Sequence, residues 1–205
     1  MKTYKFSEEE HKYYADDIEL PSVTTVIGEW KFLSLSMMYY NIFSGTAVNS
    51  EAFLKAREFG KAVHKAFKIM LTSTLDFSVI SPLLVNPCQQ FQKWCQDYKV
   101  KPLEIETPLY SDIDGYAGTP DIIHTMMADA NTIHITDVKT GEKNAMVGVQ
   151  TAAYERLARR CLEIRKTIQR HELILGEGNY KFRELNNKDD LTFFLARLYQ
   201  YNFLT

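Results

Sequence analysis

The chain of 205 residues is 45% apolar and sets 24 basic against 26 acidic side chains, for a formal net charge of -2. That length and composition exclude a disordered chain and fit one globular domain with a sizeable core. The charge balance excludes a uniformly basic nucleic-acid binder, so any such surface must come from local segregation of charge.

Three cysteines, Cys88, Cys95 and Cys161, have neither disulfide-framework numbers nor the paired spacing of a zinc or iron-sulfur site, and they read as small residues in a reducing compartment. Met1 to Glu10 is polar and acidic, without the apolar run of a secretory signal. Nowhere are there about 20 consecutive apolar residues for a membrane span. The expectation is a soluble cytoplasmic protein with no membrane partner.

In chain order, Tyr4 to Ile18 holds short aromatic runs broken by charges, and Pro21-Ser22-Val23-Thr24-Thr25-Val26-Ile27-Gly28 is β-branched and closes on glycine. This predicts a small N-terminal β unit over about residues 1–28. Trp30, Phe32, Met37, Met38, Tyr39, Tyr40 and Phe43 follow, with Lys31 among them. Such rings suit core packing first and base stacking by a single-strand binder second.

From Glu51 to Leu71, Ala52, Ala56, Phe59, Val63, Phe67 and Met70 recur at three-four spacing, which predicts an amphipathic helix. Gly60 inside it costs about 1 kcal/mol relative to alanine, so a close approach is expected there. His64 lies one turn later at the edge of the apolar stripe; taken alone, such a histidine is more often a satisfied core residue than a ligand. Lys55, Arg57, Lys61, Lys65 and Lys68 outnumber Glu51 and Glu58, which gives either a phosphate-facing surface or a solvated face.

Leu71 to Asn86 reads as a looser connection and Pro87 to Tyr98 as a second helix with Phe91, Trp94, Cys95 and Tyr98 on its apolar side, stopped by Pro102. Glu104 to Tyr110 alternates as one strand, and Ser111-Asp112-Ile113-Asp114-Gly115 is turn chemistry, with Asp112 and Asp114 as turn formers.

Tyr116 to Met126 and Thr132 to Lys139 read as strands joined by a turn over Met127 to Asn131. An antiparallel pair centred near Asp129 sets Asp121 opposite Asp137. Opposed side chains have Cβ atoms about 5 Å apart, where like charges repel, and a cation is the simplest remedy unless one carboxyl is protonated. Asp137 and Lys139 are two apart and share a face, along which Ile133 and Ile135 lead. Two carboxylates, an ammonium and a backbone carbonyl such as that of Val138 are what Mg²⁺-assisted phosphodiester hydrolysis uses, and Glu106 or His64 would complete a second metal site. Lys139 would position or deprotonate the attacking water, or stabilise charge on the phosphate oxygens. An Asp-x-Lys triplet alone arises by chance about once in a chain of this size and composition, so only the conjunction carries weight.

Ala145 to Arg165 reads as a helix with Val147, Gln150, Tyr154, Leu157, Cys161 and Ile164 on one stripe. Gln150 is the anomaly there, and its partners are expected at the end of the Asp137 strand. Arg156, Arg159, Arg160, Lys166 and Arg170 form a second basic surface, either salt-bridged or phosphate-facing. Glu172 to Leu175 and Tyr180 to Leu185 read as strands around Gly176-Glu177-Gly178-Asn179, and Asp189 to Phe203 as a closing helix with Leu191, Phe194, Leu195 and Leu198 inward. With no internal repeat or linker, residues 1–205 are expected to form one domain.

Gly60-x-x-x-His64, Glu106-Thr-Pro, Gly118-Thr-Pro120-Asp121, Asp137-Val-Lys139-Thr-Gly141 and Gln150-x-x-x-Tyr154, in that order, resemble the RecB-like branch of the PD-(D/E)XK nuclease superfamily. Pro21-Ser22-Val23-Thr24-Thr25 further resembles small stand-alone phage and bacterial members related to the mitochondrial genome maintenance exonuclease. The resemblance spans Pro21 to Tyr154. It implies an α/β, restriction-endonuclease-like core with a mixed central sheet flanked by helices, acting on DNA with one or two Mg²⁺ or Mn²⁺ ions in a bacterial cell or phage-infected host. It also implies His64, Asp121, Asp137 and the Val138 carbonyl as metal ligands, Lys139 as catalytic, Glu106 as the family's glutamate, and Gln150 and Tyr154 as an active-site wall that contacts DNA. Relatives that bind an iron-sulfur cluster use four cysteines, so none is expected here. The leading expectation is an exonuclease on single- or double-stranded DNA with a free end; the alternatives are a structure-specific endonuclease or nickase, and an inactive nuclease-fold DNA-binding module.

Overall fold

The computed structural model describes residues 2–28, 51–140, 146–176 and 178–204. The aromatic stretch from Trp30 to Phe43 and the Gly141 position lie outside the described residues. The chain is α/β, with a mixed five-stranded sheet flanked by helices.

At the N-terminus, β1 (Tyr4–Ser7), β2 (Lys12–Ala15) and β3 (Ile18–Leu20) form an antiparallel sheet. The β-branched stretch after it is not extended but forms a short helix, α1 (Val23–Gly28). Ser22 explains the difference: its Oγ accepts the Thr25 N–H at 2.9 Å and its carbonyl accepts the Val26 N–H at 3.0 Å. Such a cap contributes about 1 kcal/mol, and burial of Val23 and Val26 does the rest against a weak strand propensity.

Helix α2 (Glu51–Thr72) follows the predicted periodicity, with Val63 and Phe67 buried. The close approach expected at Gly60 is not found among the described residues: a Cβ there meets Thr140 Oγ1 at 3.7 Å, an ordinary contact. Helix α3 (Pro82–Tyr98) begins earlier than the expected Pro87, because Pro82 sits in the first turn, where a missing N–H is harmless. Phe91 of α3 stacks on Phe67 of α2 at 4.1 Å between ring centroids.

The expected strand from Glu104 to Tyr110 is split into β4 (Lys101–Ile105) and β5 (Leu109–Ser111). Glu106 adopts φ 46, a left-handed conformation that no continuous strand admits. The next expected strand is likewise split, into β6 (Tyr116–Gly118) and β7 (Ile122–Met126), at Thr119-Pro120, where proline offers no N–H to a ladder. After it come β8 (Asp129–Thr140), α4 (Val147–Cys161), β9 (Ile168–Leu175), β10 (Lys181–Glu184) and α5 (Asp190–Leu204). The main sheet runs β10-β9-β8-β7-β4, and β5-β6 pair separately. Within the main sheet β8 and β9 pair in parallel, joined by the α4 crossover, and the other neighbours are antiparallel.

Two cores cover the two faces of the sheet. Ile123, Ile133, Ile135, Leu157 and Phe194 join α1, α4 and α5 on one side; Phe67, Phe91, Trp94, Ile122, Val138 and Leu173 join α2 and α3 on the other. Each such side chain contributes about 1.5–3 kcal/mol on burial. Within the second face, His124, His134 and His171 stand on β7, β8 and β9. His134 Nδ1 and His171 Nε2 are 3.1 Å apart, and His124 Nε2 is 2.8 Å from Thr136 Oγ1. Among the described residues no helix is long and apolar enough to cross a membrane.

Candidate active site

The β7–β8 hairpin builds the site. Its pairs Ile122↔Thr136, Ile123↔Ile135 and His124↔His134 follow the expected register, and extending them by one residue sets Asp121 opposite Asp137. The turn itself is tighter than expected, because a bulge shifts the last pair to Met126↔Asp129. Val138 N–H donates to Asp121 Oδ2 at 2.7 Å, a charge-assisted bond that fixes the carboxylate against the neighbouring strand.

Asp137 is 1% exposed, and Lys139 Nζ lies 2.6 Å from its Oδ2 as an ion pair. Its Oδ1 has no hydrogen-bond partner among the described residues. Burial pushes the Asp137 carboxyl well above the usual carboxylate range, against the pull of Lys139 and with help from Asp121. Burial acts to lower the Lys139 ammonium, but Asp137 and then Asp121 outweigh it and hold the amine above its ordinary value. Lys139 is therefore a fixed cation.

Across from the hairpin, α2 supplies His64, whose Nδ1 is 3.5 Å from Asp121 Oδ1 and 3.7 Å from Glu106 Oε1. The charge on Asp121 raises His64 to about 9, against burial and with a hydrogen bond donated to Glu106 in support, so the ring is protonated at neutral pH. Desolvation would raise Glu106, yet the hydrogen bond and charge of His64, with Lys68 at 3.5 Å, hold it below its ordinary value. Glu106 N–H donates to the Asp121 carbonyl at 3.0 Å, so the left-handed residue and the aspartate are locked together through their backbones. His64, Lys68, Glu106, Asp121 and Val138 line one shallow concavity.

Gln150 and Tyr154 come from α4 on the other side of Asp137. Among the described residues the bond expected from Gln150 to the end of the Asp137 strand is not formed; its Nε2 donates to Tyr154 Oη at 3.0 Å, one turn along the same helix. Tyr154 is 4% exposed. Burial, then the Asp137 charge, raise its hydroxyl well above the ordinary value and keep it neutral. Its ring presses on Gly118, where a Cβ would stand 2.7 Å from Tyr154 Cε1 and 2.8 Å from Val23 Cγ2.

Among the described residues no three His, Cys, Asp or Glu side chains form a ready metal-holding group. In this arrangement Asp121 is bonded to Val138 and faced by the His64 imidazolium, so its charge is already met within the protein. The donor chemistry nevertheless suits a hard divalent ion: two aspartates on neighbouring strands, and a buried Asp137 oxygen with no hydrogen-bond partner among the described residues. Ligation by His64 would first require loss of its proton.

On α4 the salt-bridged alternative is found for three arginines. Arg156 grips Asp114 bidentately, at 3.0 and 2.7 Å, Arg160 reaches the same carboxylate at 3.1 Å, and Arg159 pairs with Glu155 at 2.9 Å. Asp114 is thus the anchor of an arginine pair as well as a turn former, accepting from the Ser111 hydroxyl at 2.9 Å. Arg170 is not a surface residue but a buried member of β9. Two participants had no motif to announce them. Lys68 was legible only as one of many helix lysines. Glu172, fully buried on β9 beside Asp137 in the parallel register, is paired with Arg183 of β10 and leaves Oε1 without a partner among the described residues. An acidic residue inside an apolar strand run was its one sequence signal.

No family model matches the chain, and no curated protein matches it. Among solved structures it is similar to the crystal structure of SSO0001, at 12% identity and a TM-score of 0.45 over 90% of this chain and 75% of that one. A likeness at that level carries no argument.

Proposed function

We propose that the protein is a metal-dependent deoxyribonuclease with a restriction-endonuclease-like core, acting as an exonuclease on single- or double-stranded DNA with a free end in the cytoplasm of a bacterial cell or phage-infected host. The observation that carries this reading is the convergence of Asp121, Asp137 and Lys139 at one end of the β7–β8 pair, with His64 and Glu106 facing them from α2 and the β4–β5 break.

Asp121, Asp137, the Val138 carbonyl and deprotonated His64 would hold Mg²⁺ or Mn²⁺, which would polarise the scissile phosphate and acidify a bound water. Lys139, held protonated by both aspartates, donates hydrogen bonds to a phosphate oxygen as negative charge grows there. It is too strongly protonated to take a proton from water. Neutral Tyr154, held by Gln150, excludes water from the far side of the carboxylates. Lys68 holds Glu106 in place opposite the hairpin.

The test uses end-labelled linear single- and double-stranded DNA beside closed circles, each with Mg²⁺, Mn²⁺ or chelator. Linear DNA degraded from its end only with metal is the expected result. Cutting of circles would replace the exonuclease with an endonuclease. DNA bound but left intact with both ions would sink the enzymatic reading altogether.

A further inference from the structure

A second charged feature lies on the outer side of α4, on the helix flank away from Tyr154. Between α4, β9 and the segment leading into α5 is a concavity of about 460 Å³, lined by Arg156, Arg159, Arg160, Arg170 and Lys188 with one carboxylate, Glu155. The volume falls in the range of ligand sites, about 300–1,000 Å³.

Its cations are ordered and only partly neutralised. Arg156 and Arg160 share the single carboxylate of Asp114, so two guanidinium charges meet one negative charge. Arg159 is held by Glu155 and by the Lys166 carbonyl, at 2.9 and 3.1 Å, which fixes its fork in place. Lys188 makes no ion pair among the described residues. Arg170 belongs to the fold: its NH groups donate to Gly148 O at 2.8 Å, Asp190 Oδ2 at 3.0 Å and Asn187 O at 3.0 Å. Around that structural floor sits a rim of pre-oriented arginine forks and the Lys188 ammonium, the donor set that recognises phosphate oxygens.

We infer that this groove is a second nucleic-acid contact, taking backbone phosphates of a strand that extends beyond the candidate active site. The inference rests on the nuclease reading for the identity of the polyanion. From Gln150 to Arg159 the helix rises about 13 Å at 1.5 Å per residue, so a strand must run several nucleotides past the cutting point to reach the rim. Short fragments are cut without it; long ones are held by it.

The charge-reversed protein Arg159→Glu/Lys188→Glu, both exposed positions, is compared with the parent by fluorescence anisotropy on a long labelled single strand in chelator. Thermal melting first establishes that both proteins are folded. Binding of the long strand is expected to weaken about tenfold, with the log–log salt slope reduced by about 0.7 for each phosphate that the protein no longer neutralises. Cleavage of a trinucleotide is expected to stay at the parental rate. Parental affinity and slope in the double variant would overturn the groove, whether or not the parent cuts DNA. Groove-dependent binding by a parent that cuts nothing with Mg²⁺ or Mn²⁺ would keep the groove and remove the nuclease. Pyrophosphate binding that is abolished in the double variant, beside unchanged DNA binding, would assign the groove to a small phosphorylated ligand and overturn the nucleic-acid occupant.

Discussion

Asp137 and Arg170 stand on adjacent strands, on the face of the sheet that α4 covers, and both are charged groups taken out of water. Arg170 directs its donors to two carbonyls and a carboxylate, with Glu155 a further partner at 3.5 Å. Asp137 has one oxygen against Lys139 and the other without a partner among the described residues. The first is a closed set of hydrogen bonds, which is how a buried charge serves a fold. The second is left open on one side, which is how a buried charge serves chemistry.

The sharpest way to break that contrast is to remove Lys139. Lys139→Ala is expected to lower DNA cleavage by about 10²–10³-fold, with a smaller loss of melting temperature than Arg170→Met, since the raised Asp137 carboxyl can take up a proton once its ammonium partner is gone. Equal losses of activity and stability would show that Lys139 belongs to the fold as Arg170 does. Arg170→Met tests the other half. It strands Asp190 in the interior and is expected to cost about 3–5 kcal/mol, or roughly 10 °C in a chain of this size. Cleavage by its folded fraction should remain near parental, and a specific loss of turnover at a temperature where the variant is fully folded would count against the division.

Acid gives a smaller effect, on a third set of buried polar groups. Burial, then His134, holds His124 at about 3; burial and His134 likewise hold His171 at about 4. These rings are neutral in the folded protein and protonated in the unfolded chain below the ordinary histidine value of 6.5. Between that value and about 3–4 the unfolded state binds more protons, so their contribution is full above pH 6.5 and is lost as pH falls through the window. Denaturant melts from neutral pH down to about 5 should show that decline, and His124→Gln should flatten it; an unchanged slope in the variant would clear the histidines of any part in it. The mildest perturbation is Gly118→Ala. Its new methyl meets Tyr154 and Val23, both buried, and is expected to cost about 1–3 kcal/mol. The same variant should also slow cleavage, through displacement of the Tyr154 wall; full activity would free the wall of any role.

The hairpin was legible because period-two alternation and a short turn determine register locally, and a register that opposes Asp121 to Asp137 needs no knowledge of the rest. His64 was legible as a position and not as a contact, since what it meets depends on a strand break far along the chain. Sequence reasoning failed where a single local bond or a distant partner decided the outcome. The Ser22 hydroxyl turned a β-branched run into a helix. The left-handed Glu106 cut one strand in two. Asp114, assigned to its own turn, also draws two arginines from a helix well downstream. The start of β9 at Ile168 was hidden because Arg170 and His171, polar in sequence, are buried in the fold.

The parallel pairing of β8 with β9 also sets an order in time. A hairpin closes within about 1–10 μs, whereas a parallel neighbour must wait for its crossover helix to be made and docked. As the chain leaves the ribosome, Asp121 and Asp137 can therefore meet while Asp137 still has water where β9 and α4 will lie. Only when those later elements arrive does its carboxyl lose solvent. A nascent chain that stops short of β9 would carry paired aspartates in open water, and the buried setting of Asp137 would be completed last, with the sheet.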